Sequence, residues 1–141
     1  MTGFALSHVG IAVPDLEAAA ARLSALLGLA PGPVRENAAQ RVRLVQFELP
    51  NARIELVSPL GPEGPVAAFL ARNPKGGLHH VALGAPDLDA ALAVLAGQGA
   101  EAVAPPGVNV WGRRFAFLPP AACAGVLVEV EESLPESSAG A

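Results

Sequence analysis

Residues 8–23 read HVGIAVPDLEAAAARL, and residues 80–95 read HVALGAPDLDAALAVL. The two stretches are offset by 72 and agree at nine of sixteen positions, among them His8/His80, Pro14-Asp15-Leu16/Pro86-Asp87-Leu88 and Leu23/Leu95. Alanine-rich helices resemble one another by composition alone. A shared His-Val before the helix and a shared Pro-Asp-Leu at its start do not arise that way, so the chain reads as a tandem repeat. Within the first copy, Val9, Ile11 and Val13 alternate with His8, Gly10 and Ala12, the two-residue period of a strand over 6–13. Pro14 and Asp15 then suit the start of a helix that runs to about Leu27, where Gly28 is a natural stop.

Outward from these stretches, residues 41–49 and 52–58 read as strands around a turn at Pro50-Asn51. The second half repeats the plan with a strand at 79–85, a helix at 87–97 and strands near 101–104, 112–118 and 125–131. Residues 59–77, rich in Pro and Gly, form a linker that holds a short helix at about 65–72. The halves also close alike: Ile54-Glu55-Leu56-Val57 ends the first and Val128-Glu129-Val130-Glu131 the second, with Glu55 and Glu129 separated by 74. The expected fold class is α+β, two tandem βαβββ modules (4–58 and 78–132) that form a curved sheet around a metal-binding cavity. They make up one domain over 1–133, followed by a flexible tail at 134–141.

The bulk numbers narrow the function classes. At 52% hydrophobic and 16% charged, the 141 residues are too apolar for a disordered chain. No apolar run approaches the roughly 20 residues that span a bilayer, and no basic start leads into a long apolar segment. Cys123, the single cysteine, excludes an internal disulfide and a cysteine-built zinc site. These features predict a soluble, cytoplasmic protein. A net charge of −4, with one Lys and few aromatic residues, argues against a nucleic-acid partner.

A lone His on a strand is usually hydrogen-bonded core, and a lone Glu near the end of one is usually solvated. Two His and two Glu at repeat-equivalent positions are a different matter. His8, Glu55, His80 and Glu129 would line one cavity, since small residues (Gly10, Ala12, Ala82, Gly84) share the sheet face of the histidines. Four such groups are costly to bury without a partner, and a divalent metal ion (Co, Ni, Mn, Zn or Fe) supplies one. His79 is expected on the opposite face, in a structural role, and Glu131 is the rival ligand should the register slip by one pleat. Asp15 and Asp87 read as helix-start residues, and Cys123 has no basic neighbour to activate it. Arg113 and Arg114 enter a strand, where a surface role and a contact with an anionic substrate are both open.

The residues quoted so far resemble the vicinal oxygen chelate superfamily, and within it most of all the methylmalonyl-CoA epimerases. The matching segments are HVGIAVPDLEAA, IELVSPLGPEGPVAAFLARNPKGGLHHVAL and FAFLPPAACAGVLVEVEE, which together cover most of 6–132. The middle one is the most specific, because a linker helix running into G-G-L-H-H is not general to the superfamily. The resemblance implies metal ligands at His8, Glu55, His80 and Glu129, with Glu55 and Glu129 also as catalytic acid and base. It implies an isomerase that epimerises methylmalonyl-CoA by removing and returning the C2 proton through a metal-chelated enolate, and it implies a homodimer. Some relatives carry Gln at the position of Glu55 and a separate catalytic Glu on the preceding strand. That position reads here as Leu44, with Glu48 a weaker substitute. Pro119-Pro120-Ala121 and the stretch VNVWGRR depart from the family pattern where the acyl-CoA would be gripped, and Arg72, Lys75, Arg113 and Arg114 are the candidate cations for its phosphates. Alternatives from the same fold are a glyoxalase I-type lactoylglutathione lyase, an extradiol dioxygenase and a metal-free small-molecule-binding module.

Overall fold

In the computed structural model, which describes residues 3–133, the first repeat opens with β1 (Ala5–Ala12) and α1 (Leu16–Leu27). β2 (Arg35–Asn37), β3 (Val42–Glu48) and β4 (Arg53–Pro59) follow, and α2 (Pro65–Arg72) lies in the linker. The second repeat consists of β5 (Gly77–Ala85), α3 (Leu88–Gly97), β6 (Gly107–Val108), β7 (Arg114–Leu118) and β8 (Val128–Glu132), with a 3-10 turn at Pro120–Ala122. The strands form one sheet in the order β2-β3-β4-β1-β5-β8-β7-β6. The expected α+β class with two βαβββ modules stands. The expected tail at 134–141 lies outside the described residues.

Two compact units emerge, one comprising His8–Val81 and the other the segments that end at Ser7 and begin at Ala82. Each packs a helix on its strands around a core of its own. In the first, Val13 and Leu16 meet Val45, Phe47 and Leu56; in the second, Ala85, Leu88 and Ala91 meet Leu118 and Val130. The helices start in the same way. Asp15 and Asp87, both in extended backbone conformation, accept the N–H of Ala18 and Ala90 at 3.0 Å, which satisfies an otherwise unpaired donor of the first turn. Gly28 ends α1 at φ 66°, as the sequence predicts. A second repeated feature ties helix to sheet: Arg43 on β3 bonds Glu17, and Arg114 on β7 grips Asp89 through both nitrogens at 2.9 and 3.1 Å. Glu17 and Asp89 are 72 apart, the offset of the repeat.

Two sequence expectations need correction. Residues 101–104 are not a strand, although Val103 N–H bonds the Phe117 carbonyl at 2.9 Å; the short strand of that region is β6, at Gly107–Val108. In the first half, β2 was not foreseen. Its three residues have no apolar alternation, and they are extended because they pair with Val42–Leu44 of β3.

Candidate metal centre

The turn between β3 and β4 sets the register of the site. Leu49 N–H bonds the Ala52 carbonyl at 2.9 Å, so Glu48 lies opposite Arg53 and, two residues in, Gln46 lies opposite Glu55. Parallel pairing then places Gly10 of β1 beside Glu55, with His8 one pleat away. The other face of these strands, carrying Val45, Phe47 and Leu56, packs in the core with α1. His8, Gln46 and Glu55 therefore point away from the core.

Three side-chain atoms converge on that face. Nε2 of His8 and Nε2 of His80 are 3.2 Å apart, and each is 3.5 Å from Oε2 of Glu55. All three residues are buried, at 2, 4 and 5% exposure. Burial by itself would raise the Glu55 carboxyl, but the hydrogen bonds and charge of His8 and His80 outweigh it and hold the group well below the usual carboxylate range. Gln46 donates from Nε2 to Oε1 of Glu55 at 3.1 Å, so Oε1 is engaged and Oε2 is the oxygen presented to the imidazoles. Sequence reasoning missed Gln46. Only the strand register could have revealed it.

The donor set fits a divalent metal ion. Bonds of about 2.0–2.1 Å that meet at tetrahedral or octahedral angles hold neighbouring donor atoms about 2.9–3.4 Å apart. The spacing of these two nitrogens and one oxygen is close to that range. Two imidazoles and a carboxylate also match the preferences of the metals named from the sequence. Glu129 is buried on β8.

Glu129 and Glu55 are repeat-equivalent but have unlike cross-strand neighbours. Opposite Glu55 stands the amide of Gln46, and opposite Glu129 stands the ring of Phe117. Glu131, the rival ligand, is otherwise engaged: it accepts from Arg113 at 2.9 Å, from Asn109 at 3.3 Å and from Ser7 at 3.4 Å. Arg114 is likewise held by Asp89. Leu44 is buried two residues from Gln46 on the same face, and Glu48 is exposed at the strand end.

Two further features enclose His80. A Cβ added to Gly10 would fall 2.1 Å from Cε1, 2.4 Å from Nδ1 and 2.6 Å from Nε2 of His80, so the imidazole occupies the space that a side chain would take. On the other side of the ring, Nδ1 of His80 lies 2.9 Å from Nδ1 of His79. His79 packs edge-on against Phe69 of α2, with ring centroids 5.2 Å apart. Burial, reinforced by the neighbouring His80, pushes His79 down to about 4, so it is a neutral imidazole at pH 7. Gly76, at φ 85°, is required just before: its Cβ would sit 2.4 Å from the Ala12 carbonyl oxygen. A separate groove of about 550 Å³ beside α1, lined by Leu16, Ala20, Ser24, Pro31 and Val34 among others, contains none of these residues.

The sequence model of the Glyoxalase/Bleomycin resistance protein/Dioxygenase superfamily matches residues 7–117. The chain is 41% identical over 129 residues to an ethylmalonyl-CoA/methylmalonyl-CoA epimerase of Cereibacter sphaeroides, covering 90% of this chain and 96% of that protein. It is 36% identical to the mitochondrial methylmalonyl-CoA epimerase of Homo sapiens, covering 91% and 73%. Among solved structures, a variant of Streptomyces coelicolor methylmalonyl-CoA epimerase in complex with 2-nitronate-propionyl-CoA superposes with a TM-score of 0.87 at 30% identity, over 93% of this chain and 98% of that one.

Proposed function

This chain belongs to the glyoxalase/bleomycin resistance protein/dioxygenase superfamily, and on that footing we propose that it is a methylmalonyl-CoA epimerase whose metal ion is held by His8, Glu55, His80 and Glu129. The observation that carries this reading is the meeting of two buried imidazole nitrogens and a carboxylate oxygen at 3.2–3.5 Å, in a chain 41% identical to such an epimerase.

The substrate carries an acidic C–H between a thioester and a carboxylate. A divalent ion held by these residues would supply positive charge that eases loss of the C2 proton. The rest falls to the chain's own side chains. His8 and His80 contribute nitrogen lone pairs, and Glu55 contributes Oε2 while Gln46 steadies Oε1. Epimerisation requires that a proton leave one face of C2 and that one return to the other, so two groups must share the work. Glu55 and Glu129 are the pair proposed for it. The Gln46 amide that bonds Glu55 favours its ionised form, which suits a ligand, whereas the cross-strand neighbour of Glu129 is the Phe117 ring. With Arg113 and Arg114 bound to carboxylates of their own, the exposed Arg72 and Lys75 are the better candidates to meet the CoA phosphates. No helix among the described residues is long and apolar enough to cross a membrane. A cytoplasmic homodimer completes the proposal, and sedimentation of the purified protein tests the dimer.

The test of function follows the C2 proton of methylmalonyl-CoA by NMR in heavy water, with zinc- or cobalt-loaded protein, a chelator-treated sample and a coupled stereospecific mutase assay. Metal-dependent loss of the proton signal with inversion is the expected result. Loaded protein that leaves the C2 proton in place would overturn the assignment.

A further inference from the structure

We infer that His79 is a positioning residue: by accepting a hydrogen bond from Nδ1 of His80, it fixes the tautomer and the ring orientation in which Nε2 of His80 faces the metal. The inference rests on the metal reading above and goes beyond it to a residue outside the ligand set. His80 turns Nε2 toward His8 and Glu55, at 3.2 and 3.5 Å. A nitrogen that binds a metal carries no proton, and a neutral imidazole has one, so that proton must sit on Nδ1. The partner facing this Nδ1, at 2.9 Å, is Nδ1 of His79.

The bond therefore has a direction. His80 donates, His79 accepts, and the proton of His79 sits on its own Nε2. Were the direction reversed, the proton of His80 would be on Nε2 and the ligand would be lost. The ring of His79 is itself held, at right angles to Phe69 of α2 with centroids 5.2 Å apart. α2 belongs to the linker. Between α2 and the two histidines the chain turns tightly, with Gly76 N–H on the Asn73 carbonyl at 2.9 Å and Gly76 against the end of β1. Helix, glycine turn and His-His pair act as one device: the helix sets His79, and His79 sets His80. Outer partners of this kind commonly change metal affinity 10- to 100-fold when removed.

The chain has only three histidines, so ¹⁵N-histidine labelling yields a spectrum in which each ring can be assigned. In wild-type protein titrated with Zn²⁺, the expected pattern is a protonated Nδ1 on His80 and a protonated Nε2 on His79. In His79→Leu, Zn²⁺ affinity measured against a competing chelator should fall about 10- to 100-fold. His79→Asn, whose side-chain oxygen can accept near the place of Nδ1, should restore both the affinity and the His80 tautomer, a rescue that a purely packing role would not produce. Protonation of His80 at Nε2 in the wild type, or unchanged Zn²⁺ affinity in folded His79→Leu, would overturn the inference. Wild-type protein that takes up no Zn²⁺ would overturn the metal reading itself, and this inference with it.

Discussion

Replacing Gly10 by alanine should dismantle the metal centre with one methyl group. The new Cβ would lie 2.1 Å from Cε1 of His80 and within 2.6 Å of both ring nitrogens. An ordinary carbon–carbon contact is about 3.5 Å, so the ring must retreat by about 1.4 Å. The methyl group cannot yield, because it is fixed to a strand paired with β4. Metal–ligand distances tolerate only about 0.2 Å. A retreat of that size removes Nε2 of His80 from the set and also strains its bond to His79. We expect Zn²⁺ affinity to fall at least about 100-fold, beyond the loss of an outer partner alone. The overpacked site should cost about 1–3 kcal/mol in the metal-free protein, a fall in Tm of roughly 4–12 °C. Chelator competition measures the first effect and thermal unfolding of metal-free protein the second. Gly97→Ala is the control, since its Cβ would meet nothing within 4 Å. Gly10→Ala protein that binds Zn²⁺ within about threefold of wild type would show that the ring has room to spare, contrary to the geometry from which the 100-fold loss is argued.

Other substitutions probe the carboxylates. Gln46→Leu leaves Oε1 of Glu55 buried without its donor and should destabilise the metal-free protein by about 1–3 kcal/mol, read from urea unfolding; an unchanged midpoint would mean that the bond contributes nothing. Glu129→Gln should slow C2 proton exchange by about 10²- to 10⁴-fold, and full exchange would remove Glu129 from the mechanism. The metal-free protein should also lose stability in acid. His79 titrates near 4 when folded and near 6.5 when unfolded, so between these values the unfolded chain binds more protons and stability rises with pH. The contribution is complete above about 6.5 and is lost as pH falls towards 4. Glu55, held low in the folded state, adds a further loss below about 4.5. Urea midpoints at pH 7.5, 6 and 5 measure the slope, and His79→Leu should flatten it. A slope in the variant equal to that of the wild type would sink the assignment.

What could be read in the sequence was what repetition or punctuation marks. The strand–helix starts at His8 and His80 appear twice, and their Asp caps bond as their positions imply. The linker helix is bounded by Pro and Gly and spans Pro65–Arg72, as expected. β2 escaped because R-E-N carries no pattern of its own and is extended only through pairing. The apolar look of 101–104 misled for the converse reason: local composition suggested a strand where the described structure bends. The same division runs through the site. The proposed ligands His8, Glu55, His80 and Glu129 stand out in the sequence because each has a counterpart in the other half. Gln46 and His79 have no such signature. Gln46 matters through a register set by the turn at 49–52, and His79 through a ring nitrogen that reaches its neighbour although strand alternation points the two side chains apart.

The unlike neighbours of the two matched carboxylates bear on how such a reaction centre could arise at all. Two identical single-module subunits would supply identical residues to both halves, and any mutation would strike both copies at once. Stereochemical inversion asks for two proton-handling groups that are alike in kind but not in disposition. Fusing the modules into one polypeptide lets each copy be edited alone: an amide could settle beside Glu55 and an aromatic ring beside Glu129 without either change being imposed on its twin. The ion pairs Glu17–Arg43 and Asp89–Arg114 are the contrast, a helix-to-sheet contact present in both halves. A repeat carried on one chain can therefore keep the same scaffold contact in both copies while giving its two matched carboxylates unlike neighbours.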